Sequence, residues 1–261
     1  MPPRTRGILF SLILRVAWLV GILLVVCPSD LFAEKNQSNV VCREDISAAH
    51  REELASKLRK ITGWPELKFD RSGILRLGNK DAVDGSMSAR ELVTKVVSGP
   101  NVVVLEDSSN HSDVVFSRVI PGRWIQHAPE RRPAFVVQID FADFQRVIGD
   151  MEALQAFDLG WAVLHEFDHI VNDSRDASAL NEAGECEDHI NQMRRECNLP
   201  QRADYLFTLS PLSADSDFKT RMVRLAFDQE QAPTNKKKRY WVIWDADVVG
   251  GLDEQKLTAS R

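Results

Sequence analysis

Cysteine is scarce in this sequence, which limits what disulfide bonds can contribute to the fold. Four cysteines occur in 261 residues, and Cys27 lies in an apolar N-terminal run. The other three, Cys42, Cys186 and Cys197, permit one disulfide bond with one thiol left over. Cys186 and Cys197 are not expected to pair, because roughly eleven residues of one helix rise about 16 Å and bridged Cα atoms lie within about 7 Å.

The sequence also lacks internal repeats, long low-complexity linkers and an excess of positive charge. No period of about 20–50 residues is present, so repeat architectures are excluded. The formal net charge is −5, with acids and bases mixed along the chain, which argues against nucleic acid as the main partner. The one basic run, Asn235–Trp241, is predicted to be a solvated hairpin and not a binding patch.

A long apolar run is present only at the N-terminus. It extends over Gly7–Cys27 and follows two arginines. A basic start before an apolar segment is typical of a secretory signal, and about 20 apolar residues are also enough for a membrane anchor. We expect a secreted or periplasmic protein in which residues 1–33 are removed or attach the chain to the membrane. Residues 34–261 then suffice for a single domain with a substantial core.

The spacing of apolar residues predicts strands followed by two long helices. The predicted helices are Asp45–Ile61, Ser88–Val97, Met151–Val171 and Glu182–Cys197. The predicted strands are Asn101–Leu105, Val114–Ile120 and Ala134–Ile139, and a hairpin is predicted within Leu67–Gly78. This order predicts an α+β fold, in which a small, mainly antiparallel sheet packs against the helices.

The helix predicted over Met151–Val171 carries two histidines four residues apart. His165 and His169 therefore lie on one face, where two imidazoles can bind one metal ion, and Glu166 is a candidate general base. The opposite face carries an apolar stripe formed by Ala156, Gly160, Val163, Phe167 and Ile170. A largely buried histidine pair is costly unless a metal satisfies it, so the pattern predicts a zinc site. Asp168 is expected to cap or pair locally.

A catalytic zinc ion takes three protein ligands and leaves a fourth position for water. The metzincin pattern is excluded, because Asn172 and Arg175 occupy its glycine and third-ligand positions. A carboxylate from the following helix is then needed, and Glu182, Glu185 and Asp188 are the candidates. Glu185 is the first choice.

The apolar phase of that following helix supports the choice. Its core face is predicted to consist of Cys186, Ile190, Met193 and Cys197. Because the two cysteines lie on this face, they are predicted to be buried apolar residues and not metal ligands. The same phase places Glu185 on a neighbouring face. His189 lies on that face as well, either as a group supporting the reaction or as a surface histidine.

The segments 164–169 and 189–205 resemble zinc metallopeptidases of the gluzincin type. The resemblance is strongest to domains of bacterial effectors and polymorphic toxins, in which H-E-x-x-H precedes an N-x-x-R-x-x-x-G-L-P-x-R-x-x-Y signature. The residues that match this signature are Asn191, Arg194, Leu199, Pro200, Arg202 and Tyr205. Asn198 replaces the usual glycine, and both residues tolerate a left-handed helix cap.

The resemblance covers roughly Glu66 to Tyr205 and implies a zincin-like domain, expected over residues 34–261, that cleaves a protein or peptide substrate. It implies His165 and His169 as zinc ligands, Glu166 as the catalytic residue and a glutamate of the second helix as third ligand. Arg202 and Tyr205 either stabilise the oxyanion or pack at the end of the helix. The alternative is a non-catalytic zincin-like binding module with a structural metal.

Overall fold

The order of strands and helices along the chain is the first test of the predicted fold class. The computed structural model describes residues 38–79, 81–122, 125–127, 130–179, 182–209, 221–231, 233–234 and 236–251. The predicted export segment, residues 1–33, lies outside these ranges, so export stays a prediction. Across the described ranges, the helices are all too short or too polar to cross a membrane.

Runs of strands and runs of helices follow one another along the described chain, and the α+β prediction is confirmed. The helices are α1 (Ala48–Thr62), α2 (Met87–Ser98), α3 (Phe141–Gln145), α4 (Met151–Ala156), α5 (Leu159–Asn172), α6 (Glu185–Glu196) and α7 (Ala246–Val249). The strands are β1 (Val40–Cys42), β2 (Lys68–Phe69), β3 (Leu75–Arg76), β4 (Val102–Asp107), β5 (Ser117–Pro121), β6 (Ile125–His127), β7 (Glu130–Arg132), β8 (Ala134–Ile139), β9 (Ile148–Gly149), β10 (Gln201–Arg202), β11 (Thr208–Leu209), β12 (Met222–Gln231) and β13 (Lys236–Asp245).

The sheet that packs against α5 has the strand order β1-β4-β8-β5. Strands β1, β4 and β8 are parallel, and only the edge strand β5 is antiparallel to its neighbour. The expectation of a mainly antiparallel sheet is therefore wrong for this sheet. The physical reason lies in α1 and α2, which connect β1 to β4 and return the chain to the same end of the sheet.

A second sheet is antiparallel and was predicted only in part. Strands β12 and β13 form a long hairpin, with β10 and β11 beside β12 and β9 beside β13. The basic run Asn235–Trp241 supplies most of the first half of β13, and Lys236–Arg239 are exposed. The predicted solvated hairpin is confirmed for the residues described. The predicted hairpin within Leu67–Gly78 is also present, as β2 and β3.

The helix predicted over Met151–Val171 is interrupted, and this corrects the sequence analysis. Phe157 leaves the helical conformation, and Asp158 caps the second segment by accepting the Gly160 N–H at 2.9 Å. Aspartate favours this role because its short side chain competes with helical backbone bonds. Lys57 also lies 3.1 Å from the Asp158 carboxylate, which fixes the start of α5 against α1.

Two apolar clusters form the core. The first lies between the β1-β4-β8-β5 sheet and α1, α2, α5 and α6, and Val163, Phe167 and Ile170 of the predicted apolar stripe belong to it. Ala156 of that stripe lies in α4 and belongs to the second cluster. The second lies under the β12–β13 hairpin and includes Phe116, Phe227 and Trp244. Both cysteines predicted on the core face of α6 are at least partly buried, and Cys42, Cys186 and Cys197 are free thiols.

A carboxylate at the end of α6 caps the start of α2. Glu196 accepts hydrogen bonds from the Ser86 hydroxyl at 2.7 Å, the Ser88 N–H at 2.9 Å and the Ser88 hydroxyl at 2.6 Å. Ser86, and not the predicted Ser88, is the N-cap residue of α2. Burial alone would raise the pKa of Glu196, but the bonds from Ser88 and Ser86 lower it to about 2.

We therefore expect Glu196→Gln to lower the free energy of unfolding by about 1 kcal/mol at pH 7, because the helix N-terminus loses a charged acceptor. A pKa below that of the unfolded chain stabilises the protein fully above the unfolded value of about 4.3, and this contribution is lost as the pH falls towards 2. Urea unfolding at pH 7 and pH 3 checks this, with the exposed Glu91→Gln as control. A difference that stays constant over this pH range would contradict it.

Candidate metal centre

Helix α5 brings the two histidines together as the four-residue spacing predicts. The Nε2 atoms of His165 and His169 lie 3.1 Å apart, and the rings are nearly perpendicular. His169 Nδ1 donates to the Ser174 carbonyl at 2.8 Å, which leaves its Nε2 free to bind a metal. His165 Nδ1 lies 3.4 Å from a Glu187 carboxylate oxygen, so the Nε2 of His165 is likewise left free to bind a metal.

The chain reverses direction directly after the histidines and returns a carboxylate to them. Asp173 ends α5 with a left-handed conformation at φ 53°. Asp176 then forms an isolated bridge with Gly184, whose φ of 84° and close contact with the Ala177 backbone leave no room for a side chain. As a result, Asp176 Oδ1 lies 3.0 Å from His165 Nε2 and 3.4 Å from His169 Nε2.

These three atoms, His165 Nε2, His169 Nε2 and Asp176 Oδ1, are referred to below as the ligand triangle. Together with Cys186, their side chains form the group in the described part of the chain that could hold a metal ion, with ligand atoms all within 4.8 Å of one another. The Cys186 sulfur lies 3.3 Å from His165 Nδ1 and 3.4 Å from the His165 carbonyl oxygen. Cys186 thus contacts the ring atom that points away from the triangle.

Asp168 holds the reversing loop in place. Its buried carboxylate accepts from the Asn172 amide at 2.6 Å and from the Ser174 hydroxyl at 2.5 Å. His189 Nδ1 also lies 2.9 Å from it. Asp168 therefore pairs locally, as expected, and His189 supports the loop through Asp168.

Glu187 supports His165 from the other side and was not predicted. It is almost completely buried and forms ion pairs with Arg194 and, at 3.1 Å, with Arg202. Burial alone would raise the pKa of Glu187, but the two guanidinium groups hold it well below its ordinary value. Glu187 is thus an ionised acceptor for His165, an arrangement that fixes a histidine ligand and increases its basicity.

The two predicted oxyanion groups occupy different places. Arg202 donates to Glu187, to the Asp204 carbonyl at 3.0 Å and to the Tyr205 carbonyl, so its N–H groups are engaged in the loop. The Tyr205 hydroxyl donates to Asp176 Oδ2 at 2.7 Å, and its ring stacks on His165. Tyr205 therefore contacts the group that could hold a metal ion, whereas Arg202 lies in β10, pairs with Glu187 in the first turn of α6 and lines the cavity described below.

Glu166 lies beside the ligand triangle and lines a large cavity. It is 5% exposed and accepts from the Ser117 hydroxyl at 2.8 Å. The cavity has a volume of about 790 Å³, and His165, Glu166 and Tyr205 are among its lining residues. Its other walls, mainly apolar, include Phe116, Phe157, Phe207, Val223, Leu225 and Trp244. We refer to it below as the apolar cavity.

The histidines have strongly perturbed pKa values when no metal is bound. Burial lowers the pKa of His169, yet hydrogen bonding to Asp176 outweighs it and raises the pKa to about 11. For His165, the Asp176 and Glu187 carboxylates likewise overcome burial and hold the pKa well above its ordinary value. The same contacts hold the pKa of Asp176 far below normal. The centre thus attracts positive charge.

The predicted third ligand needs correction. Glu185 is exposed and lies outside the group that could hold a metal ion, as do the alternatives Glu182 and Asp188. Helix α6 instead presents Cys186 and Glu187 to His165, and Glu185, the first residue of the helix, faces solvent. The sequence did not point to Asp176, because it lies one residue beyond Arg175, the third-ligand position of the metzincin pattern. The acidic residues that directly follow α5 were the available signal.

We expect Asp176→Ala to lower the affinity for a divalent metal about 100-fold or more, because one of three ligands is lost. Metal analysis of the purified protein and titration with Zn²⁺ under a competing chelator measure this. Glu185→Ala is the matched control and should bind as the unchanged protein does. Wild-type affinity in Asp176→Ala, with loss in Cys186→Ala, would place the metal on the other side of His165.

Comparison of the chain with known protein families, curated proteins and solved structures found no match. The function is therefore inferred from the side chains described above. Those side chains form a buried group that could hold a metal ion, with a buried glutamate and a cavity next to it.

Proposed function

We propose that this chain is a zinc-dependent metallopeptidase with a zincin-like domain. The observation that carries the proposal is the ligand triangle, whose sides measure 3.0, 3.1 and 3.4 Å. Nitrogen and oxygen ligands about 2.0–2.1 Å from a tetrahedral zinc ion are about 3.3–3.4 Å apart. The donors therefore fit zinc in both chemistry and spacing, and three protein ligands leave the fourth position open, as catalytic sites require.

Glu166 is the proposed general base. When bound, zinc supplies a Lewis acid that polarises a carbonyl oxygen and makes water more acidic. Glu166 accepts a proton from the attacking water and passes it to the leaving amine nitrogen. Burial raises the pKa of Glu166, which makes its protonated form easier to reach during this transfer. The Ser117 hydroxyl holds one carboxylate oxygen during these steps.

The edge strand β5 is the proposed binding site for the peptide backbone. It begins at Ser117, beside Glu166, and β8 is its strand neighbour in the sheet order. An edge strand offers unpaired backbone groups with which an extended peptide can pair. A peptide added alongside β5 passes the ligand triangle, so its backbone carbonyls come close to Glu166.

The apolar cavity indicates the kind of peptide. Glu166 is one of its lining residues and most of the others are aromatic or aliphatic, so it favours large apolar side chains. We propose that a substrate residue close to the cleaved bond places such a side chain there.

A structural metal in a non-catalytic binding module is the second candidate function. The observation that favours it is Cys186, a fully buried thiol within 4.8 Å of the other donors. Four protein ligands around one zinc ion form a closed site with no position for water. The two functions make different predictions for Glu166.

We expect Glu166→Gln to lower peptide cleavage about 100-fold or more while one metal ion per chain is retained, because the base is lost and the ligands are not. Cleavage of a peptide library by the full chain and metal analysis of the same preparation test this. Glu182→Gln, an exposed glutamate, serves as control. Equal cleavage by both variants would exclude Glu166 as the base, and metal-loaded wild-type protein without any cleavage would favour the structural role.

A further inference from the structure

A strained turn precedes β5, at the point where this strand meets Glu166. Phe116 has a φ of 62°, and the Ser117 N–H donates to the Val115 carbonyl at 2.8 Å. A hydrogen bond across two residues around a positive φ defines a γ-turn of the rare, strained type. A bulky side chain in this conformation is an outlier that persists only where surrounding contacts enforce it.

Helix α3 supplies the contacts that enforce the turn. Asp143 Oδ2 accepts the Phe116 N–H at 3.1 Å, and the Asp140 N–H donates to the Phe116 carbonyl at 2.9 Å. The Asp140 carboxylate in turn accepts the Asp143 N–H at 3.0 Å and caps α3. Both backbone polar groups of Phe116 are therefore fixed by two buried aspartates that are themselves bonded to each other.

The two side chains that leave the turn reach the two parts of the proposed active site. The Ser117 hydroxyl donates to Glu166 Oε1 at 2.8 Å. The Phe116 ring packs edge-on against Phe157 at 4.9 Å and Trp244 at 5.1 Å between ring centroids, and all three line the apolar cavity. A change in the backbone at Phe116 would therefore displace the hydrogen-bond donor of Glu166 and one wall of the cavity together.

We propose that Asp143 is a positioning residue for Glu166, which acts through the γ-turn at Phe116 and the hydroxyl of Ser117. The inference rests on the proposed function, because it assigns a role in catalysis to a residue on a different helix from the metal ligands. Without the Asp143 acceptor, the Phe116 N–H would be buried and unsatisfied in a conformation that is already unfavourable. The turn then relaxes, and Ser117 no longer donates to Glu166 from a fixed position.

A double-mutant cycle on the metal-loaded full chain tests this route. We expect Ser117→Ala and Asp143→Ala each to lower kcat about 10-fold, since both leave the base less well placed. The double variant should lose no more than either single variant, because both remove the same interaction. Asp143→Asn keeps an acceptor oxygen and should restore most of the rate. Assays at pH 8 keep Asp143 ionised, although burial raises its pKa to about 6.

The control is Gln145→Ala on the exposed side of the same short helix, which should leave kcat unchanged. If the losses multiply in the double variant, Asp143 does not act through Ser117 and the inference is overturned. A crystal structure of Asp143→Ala gives a result that does not depend on activity. We expect the Ser117 Oγ to Glu166 Oε1 distance to rise beyond hydrogen-bond range, and an unchanged 2.8 Å contact would contradict the proposal. Absence of cleavage by the wild type would instead refute the proposed function.

Discussion

The geometry of the candidate metal centre depends on the hydrogen bonds made by the buried carboxylate of Asp168. A fully buried carboxylate must be satisfied by hydrogen bonds, and it obtains them from Asn172, Ser174 and His189. These bonds fold the chain back immediately after α5, so that the Ser174 carbonyl meets His169 and Asp176 reaches both histidines. An apolar residue at position 168 would leave this loop without its anchor.

The carboxylates around the two histidines differ in how their negative charge is balanced. Glu187 is balanced by Arg194 and Arg202, and this buried network joins α6 to β10. Within the described ranges, the Asp176 carboxylate has the two histidines and the Tyr205 hydroxyl as its partners. In the absence of metal, protons on the histidines supply the balancing charge, as their raised pKa values indicate. On the proposed function, a divalent ion would take the place of these protons, and metal binding would be coupled to proton release.

The sequence analysis succeeded where a local pattern determined the structure. The positions of α1 and α6, the strand β8 and the histidine face of α5 follow from periodicity and capping, which depend on neighbouring residues. It also indicated that Asn198, like the glycine usual at this position, tolerates a left-handed conformation, and Asn198 has a φ of 55°. The break at Phe157–Asp158 was missed because both flanking segments have the same helical period, and the period does not show where one helix ends.

The parts that the sequence did not disclose depend on contacts between distant segments. Whether β1 and β4 run parallel is decided by how α1 and α2 pack, and the long β12–β13 hairpin completes a cavity whose other wall comes from Phe116 and Phe157. The distance of Asp176 from the histidines along the sequence does not predict that it contacts them. Its position depends on the bridge to Gly184 and on the loop held by the buried Asp168.

The position of the cavity follows from the division of the core into two clusters. Helix α5 and the β1-β4-β8-β5 sheet belong to the first cluster and hold the ligand triangle, whereas the β12–β13 hairpin belongs to the second. The apolar cavity is lined from both, with Trp161 on one side and Trp244 on the other. A peptide bound along β5 would therefore contact the catalytic groups through its backbone and the second cluster through a side chain. Backbone geometry would then set where cleavage occurs, and the hairpin would set which side chains are accepted.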